Sequence, residues 1–185
     1  ESRLEPGLIV RGISEDGTIQ DNPKVIIEEF ETTESFPLLP YVFFDDNSAE
    51  LDKTSMNLLT KDETETFNPE DLSKNTMDIY KNMLNIIGYR LKNNERSRIT
   101  ITGTNSNRGA EENNIELSQS RADAVKDYFN DVWGISEFRL NSESRNLPKN
   151  YANVNKEEGI EENRRAEIYS SDFNITAPLE LKEID

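Results

Sequence analysis

The sequence contains no histidine and no cysteine among its 185 residues. A Ser-His-Asp triad, a Cys-His nucleophile pair and an HExxH zinc site each need at least one of these residue types, so these catalytic classes are excluded. Disulfides and cysteine-ligated zinc are excluded as well. Any other catalysis would need a carboxylate pair or a metal site that no motif in the chain specifies. We therefore expect that the chain is not an enzyme and holds no cofactor.

Basic residues are also scarce, with 21 Lys and Arg against 37 Asp and Glu and a formal net charge of -16. A protein that binds a phosphate backbone needs clustered Lys and Arg, so a nucleic-acid partner is not expected. No apolar run approaches the roughly 18 residues of a membrane-spanning helix. The length and a hydrophobic content of 34% allow one core but not two large domains.

Apolar spacing predicts four strands and two long helices. The strands are predicted at residues 41–44, 98–102, 137–141 and 165–169, and the helices at about 77–92 and 111–133. The apolar stripes of the helices are Tyr80, Met83, Leu84, Ile87 and Leu91 in the first, and Ile115, Ala122, Val125, Phe129 and Val132 in the second. This order predicts an α/β fold, a two-layer α+β sandwich with a βαβαββ-type mixed sheet and helices packed on one face. Crossovers through helices favour parallel neighbouring strands.

Composition divides the chain into a central domain and two flanks. Residues 1–37 are interpreted as a linker or the end of a preceding β domain, with short β-type runs at 7–10 and 25–27 around the turn signal Asp16-Gly17. Residues 38–170 form the predicted domain, 59–76 an inserted polar loop, and 171–185 a C-terminal tail or linker. The division leaves open whether residues 1–37 fold with this domain.

Four segments, in chain order, resemble the OmpA-like C-terminal domain family (OmpA, MotB and peptidoglycan-associated proteins). They are Val42-Phe43-Phe44-Asp45-Asp46-Asn47 and the residues up to Leu51, Ile99-Thr100-Ile101-Thr102-Gly103, the helix segment from Asn114 to Val125, and Asn163-Arg164-Arg165-Ala166-Glu167-Ile168. The resemblance covers about residues 38–170. It implies a non-covalent peptidoglycan-binding module that anchors a larger envelope or outer-membrane protein to the cell wall, located in the periplasm.

The ligand implied by the resemblance is the diaminopimelate-containing stem peptide of peptidoglycan, which presents an ammonium and a carboxylate close together. A site that binds such a ligand needs an acid, an arginine and neutral polar groups. Transferred to this chain, the resemblance assigns the carboxylate to Arg121 and neutral hydrogen bonds to four other positions. The candidate ligand-binding residues are Asn47, Asn105, Ser106, Asn114, Arg121 and Arg164, the last placed in the groove or beside a carboxylate.

The acid of the family pattern is missing, because Ser106 stands at its position. Replacing a charge-assisted hydrogen bond by a neutral one costs about 1.5–3 kcal/mol. We therefore expect Ser106→Asp to strengthen binding by roughly tenfold or more. If another acid already serves the ligand ammonium, Asp45, Asp46 or residues 59–76 are the candidates. Arg121→Ala is expected to abolish binding without unfolding the domain, because its stripe on the helix is offset from the apolar one.

Several alternatives remain open at this stage. Arg121 could simply face solvent, at best loosely paired with Glu116. Asp45 and Asp46 with Glu50 could form a metal cluster or a carboxylate pair, although a strand-to-helix turn with capping acids explains the same residues. Finally, the neutral Ser106 favours an alternative function. In this alternative, a degenerate OmpA-like domain does not bind peptidoglycan and acts as a protein–protein interaction scaffold, with other envelope proteins as candidate partners.

Overall fold

The computed structural model describes residues 11–21 and 31–184, which belong to two compact units. The first unit contains an antiparallel hairpin of β1 (Arg11–Ile13) and β2 (Ile19–Asp21). Gly17 in its turn has a φ of +83°, a conformation that glycine adopts without steric cost. The strand-like runs predicted at 7–10 and 25–27 lie outside the described residues. The second unit runs from Thr33 to Lys182 and contains the predicted domain.

A mixed four-stranded sheet forms one layer of the second unit. Its strands are β4 (Tyr41–Phe43), β5 (Ile99–Gly103), β6 (Leu140–Ser144) and β7 (Arg165–Ser170), in the spatial order β4-β7-β5-β6. β7 is antiparallel to both β4 and β5, whereas β5 and β6 are parallel. The predicted fold class is confirmed, and parallel pairing occurs only between β5 and β6 among these four strands.

Five α-helices accompany the sheet within residues 31–184. They are α1 (Thr76–Lys81), α2 (Met83–Asn93), α3 (Ile115–Asp127), α4 (Glu157–Asn163) and α5 (Phe173–Thr176). Asn75 begins α1 because its side chain accepts hydrogen bonds from the N–H groups of Met77 and Asp78. α3 starts at Ile115, four residues later than predicted, because Asn114 caps it by accepting from the N–H of Leu117. The helix then continues through a π-helical turn, Tyr128–Val132.

The main core lies between α2, α3 and one face of the sheet. Leu84 and Ile87 of α2 and Val125 of α3 are fully buried in the same cluster as the inward-facing strand residues. Those strand residues include Val42, Ile99, Ile101, Ala166 and Ile168. The predicted helix stripes are therefore confirmed in outline. Ile115 is an exception with 42% exposure, since it sits in the first turn of α3.

Three segments that lacked a clear pattern take part in the packing. α4 lies between the strands predicted at 137–141 and 165–169, in a stretch for which no element was predicted. The inserted residues 59–76 contain two short 3-10 turns, and the ring of Phe67 packs edge-on against Trp133 at 5.7 Å between centroids. After residue 170, Ile175 is fully buried in the main core, and β8 (Leu179–Ile184) pairs with β3 (Glu31–Phe36). The flanks of the predicted domain thus contribute to its fold.

Candidate functional site

The candidate site lies where β4 and β5 end and α3 begins. β5 ends at Gly103, and a Cβ on this residue would lie 1.8 Å from the carbonyl oxygen of Ser118 in α3. Only glycine allows the strand and the helix to approach this closely. The close approach brings the next three residues of the loop, Thr104 to Ser106, under the helix, where all three are fully buried.

Hydrogen bonds from the protein hold this loop in place. Oγ1 of Thr104 lies 2.8 Å from the carbonyl oxygens of both Asn163 and Arg165. Nδ2 of Asn105 donates to the carbonyl oxygen of Asn114 at 2.8 Å and to Oγ of Ser118 at 3.0 Å. The amide group of Asn105 therefore serves the junction between the loop and α3, and its donors are already engaged.

Arg121 is fully buried beneath the loop, and its guanidinium group is surrounded by acceptors. Its Nε donates to the carbonyl oxygen of Ser48 at 2.8 Å, and one terminal nitrogen donates to that of Thr104 at 3.0 Å. The other terminal nitrogen donates to the carbonyl oxygen of Asp45 at 3.0 Å and to Oε1 of Glu111 at 2.5 Å. Four of the five guanidinium N–H groups are thus used within the protein.

The partner of Arg121 is Glu111, whose carboxylate is fully buried. Oε1 also accepts a hydrogen bond from the backbone N–H of Asn47 at 3.0 Å, and Oε2 accepts one from that of Ser106 at 2.8 Å. Nε of Arg164 lies 3.6 Å from Oε2. The resemblance implies an acid at position 106, where this chain has Ser106. A carboxylate does lie directly beside Ser106, but it belongs to Glu111.

The protonation of Glu111 reflects this environment. Burial by itself raises the pKa of the Glu111 carboxyl group, because it disfavours the charged form. The hydrogen bonds from Arg121 and Ser106 and the charge of Arg121 outweigh burial and lower the pKa to about 2. Glu111 is therefore ionised at neutral pH, and the buried pair is an ion pair.

Arg164 is the cation at the accessible edge of the site. Its side chain is 14% exposed, and one terminal nitrogen lies 2.8 Å from Oδ1 of Asp46. It lines an open cavity of about 510 Å³ together with side chains from β4, the following turn and α4. The other lining residues are Phe43, Phe44, Asp45, Asp46, Asp52, Ser55, Glu158, Glu161 and Glu162. The two arginines of the predicted site therefore differ, since one is enclosed and the other borders a cavity.

The six predicted site residues lie close to one another, but three of them are inaccessible. Asn105, Ser106 and Arg121 are fully buried. The expectation that Arg121 lies on a stripe away from the core is wrong, and its partner is Glu111 rather than solvent or Glu116. Arg121 is buried because the loop after β5 packs against α3. The spacing of residues within the helix does not reveal this contact with another segment of the chain.

The other three predicted residues are at least partly accessible, and one important residue was missed. Asn114 is half-buried and caps α3, and Asn47 is exposed with a left-handed φ of 53°. Arg164 borders the cavity. Glu111 was not predicted as a site residue, since the sequence only places it at the start of the helix predicted at about 111–133. The only sequence feature that points to Glu111 is its place in the chain. It follows the loop in which Ser106 replaces an acid, and it lies ten residues before Arg121.

The remaining acidic residues near β4 lie in a turn, as expected, but it does not lead into a helix, because the next helical segment is the 3-10 turn Glu63–Glu65. The N–H of Ser48 donates to the carbonyl oxygen of Asp45 at 3.2 Å, and the N–H of Glu50 donates to Oγ of Ser48 at 3.1 Å. Across residues 11–21 and 31–184, no three acidic side chains are placed to hold a metal ion. The helices in the same ranges are too short or too polar to cross a bilayer.

Comparison with known proteins identifies the fold family. The sequence profile of the OmpA family matches residues 43–164, well over half of the chain. The chain belongs to the OmpA family. The matched range spans both arginines, Glu111 and the loop between β5 and α3, so the candidate site lies inside the OmpA-family domain. No curated protein sequence matches the chain.

The chain is also similar to solved structures. The peptidoglycan-associated lipoprotein of Burkholderia pseudomallei is 22% identical with a TM-score of 0.53, over 71% of this chain and 90% of the other. The C-terminal domain of Helicobacter pylori MotB is 17% identical with a TM-score of 0.49, over 73% and 87%. The cell wall anchor of the type VI secretion system of Pseudomonas aeruginosa is 28% identical with a TM-score of 0.41, over 53% and 70%. The first of these likenesses shows that the two proteins share a fold.

Proposed function

We propose that this domain binds peptidoglycan non-covalently and anchors a larger envelope or outer-membrane protein to the cell wall in the periplasm. Membership in the OmpA family supports this proposal. The observation that carries it is the position of Arg164, a cation that borders an open cavity beside Asp45 and Asp46. A stem peptide with a free carboxylate and an ammonium needs groups of both signs, and this cavity offers them side by side.

The proposal gives Arg164 the role first expected of Arg121. A ligand carboxylate can displace the contact with Asp46, whose side chain is 65% exposed, so this pair is weakly held in water. Asp46 and Asp45 would then accept the ligand ammonium. Arg121 has no equivalent freedom, because its side chain is fully buried and its guanidinium group is already bonded to protein acceptors. We propose that Arg121 instead joins three segments: the turn after β4, the loop after β5 and the turn that carries Glu111.

A sedimentation assay with purified diaminopimelate-type peptidoglycan tests the proposal. The parent domain should pellet with the polymer, and Arg164→Ala should lower the bound fraction by tenfold or more while the domain stays folded. The matched control is Arg98→Ala, which removes the same charge at an exposed position before β5, at the opposite end of that strand. Equal binding by the two variants, or no binding by the parent, would contradict the proposal.

A second function is favoured by the enclosure of the predicted groove. Asn105, Ser106 and Arg121 are inaccessible, and hydrogen bonds within the protein engage the side chains of Asn105 and Arg121 and the backbone N–H of Ser106, as expected of a domain that has lost its ligand. Such a domain would serve as a protein–protein interaction scaffold. The sedimentation assay separates the two functions, because a scaffold stays in the supernatant whether or not Arg164 is present.

A further inference from the structure

Glu111 is a buried carboxylate presented by an exposed turn. It ends the 3-10 turn Gly109–Glu111, and its neighbours Ala110 and Glu112 are both exposed. Gly109 has a φ of +56°, and Asn113 after the turn has a φ of 57°. These left-handed residues on either side of Glu111 form a tight bend that directs this one long side chain inward. The side chain thus enters the domain from its surface.

The groups that receive this side chain come from distant parts of the chain. Arg121 belongs to α3, and the two backbone N–H donors belong to Asn47 after β4 and Ser106 after β5. Together they place three hydrogen-bond donors around two oxygens. Charge-assisted bonds of this kind are the strong ones, and backbone N–H groups are held in position by the fold. The donors would suit any carboxylate of the right size.

We infer that Arg121 and the backbone N–H groups of Asn47 and Ser106 form a carboxylate receptor, and that Glu111 is its built-in occupant. Glu111 therefore sets the selectivity of the site, because an external carboxylate finds Arg121 filled and meets Arg164 instead. The inference rests on the proposed function for its biological use. Its test does not, because the receptor can be emptied and refilled without peptidoglycan.

The test is chemical rescue of Glu111→Ala by acetate. The substitution removes the carboxylate and leaves a space next to Arg121, so the melting temperature should fall. Sodium acetate should then raise it by several degrees in a saturable manner, because a ligand that binds only the folded state stabilises that state. Sodium chloride at the same ionic strength should have no such effect. The parent protein should not respond to acetate beyond its response to chloride.

Two matched variants separate rescue from a general effect of acetate. Glu111→Gln removes the charge but keeps the volume, so no space is left and acetate should not stabilise it. In the double variant Glu111→Ala with Arg121→Met, the space remains but the cation is gone, so rescue should be lost. A response restricted to Glu111→Ala therefore supports the inference.

Three results would overturn the inference. The first is an equal acetate response of Glu111→Ala and Glu111→Gln. The second is a response that persists in the double variant. The third is a Glu111→Ala protein that stays unfolded in acetate while Glu111→Gln folds. None of these experiments contains peptidoglycan, so a failed rescue and a failed sedimentation assay are distinguishable results.

Discussion

At the scale of single residues, the two arginines of the site have different tasks. Arg121 is fully buried against Glu111 and three carbonyl oxygens, whereas Arg164 is paired with an exposed Asp46. Removing one partner of a buried ion pair leaves the other as an uncompensated charge. The same removal at an accessible pair leaves the remaining group in contact with water. Stability and ligand binding should therefore depend on different arginines.

Arg121→Ala is expected to lower the free energy of unfolding by about 3–5 kcal/mol, the usual cost of breaking a buried ion pair. Arg164→Ala should cost much less, since its main partner Asp46 is exposed. Urea denaturation followed by circular dichroism measures both. This replaces the expectation that Arg121→Ala spares the fold. Two variants of equal stability would show that the Arg121–Glu111 pair does not hold the loops together.

Acid should weaken the domain through Glu111. Its pKa falls from an ordinary 4.5 to about 2 on folding, so the folded state binds its proton less readily than the unfolded state. The resulting stabilisation, about 3 kcal/mol, is complete above pH 4.5 and is lost as the pH falls towards 2.

The measurement is a series of urea titrations across that pH window. Other carboxylates, among them Asp52, Glu63 and Asp172, also have lowered pKa values, so the parent curve alone is not specific. Glu111→Gln provides the difference: it should be less stable than the parent at neutral pH and approach it as the pH falls towards 2. Parallel curves for the two proteins would mean that Glu111 has a similar pKa in the folded and unfolded states.

The site could be predicted in part from the sequence. The positions of Arg121, Asn114 and Ser106 follow from ordered motifs, and they do lie together. Their burial could not be predicted, because it depends on the contact of Gly103 with α3 and on an acid from a separate turn. The acid also changes the expectation for Ser106→Asp. A second carboxylate beside Glu111 would meet like charge in a buried place, so a gain in binding is no longer expected.

At the scale of elements, the structure depends on segments whose sequences look like connections. α4 is acidic and short, and its Gly159 lies so close to Asn153 that a Cβ would be 2.2 Å from the carbonyl oxygen of that residue. Because α4 contacts its neighbour here through backbone atoms, its sequence has no stripe of apolar residues from which the helix could be predicted. The long helices α2 and α3 are different, since their stripes of apolar residues pack on the sheet and could be recognised in advance.

The segment after β7 provides a direct test at this scale. Ile175 in α5 is fully buried in the main core, while Phe173 in the same helix is 73% exposed. Ile175→Ala should lower the free energy of unfolding by about 2–5 kcal/mol, the range for a buried aliphatic side chain. Phe173→Ala should change it by about 0.5 kcal/mol or less. Thermal denaturation of both variants tests this. A small effect of Ile175→Ala would restore the interpretation of residues 171–185 as a tail.

At the scale of the whole molecule, the fold class was predictable and the strand partners were less so. Alternation and helical spacing act over a few residues, and they located all four strands of the main sheet to within a few positions. The pairing of β3 with β8 joins segments about 150 residues apart, both of which were interpreted as flanks. The alternation of Leu179 and Leu181, both buried, is the signal that could have identified β8.

The antiparallel register of β4 and β7 has a mechanical consequence. Tyr41 lies opposite Glu167 and Phe43 opposite Arg165, and the N–H of Phe44 donates to the carbonyl oxygen of Arg164 at 2.8 Å. Under the proposed function, tension between Tyr41 and a ligand bound at Arg164 would pull each strand by its own first residues, in opposite directions along the sheet. The hydrogen bonds between the strands are then loaded in shear and must yield together, whereas a peeling load would break them one at a time.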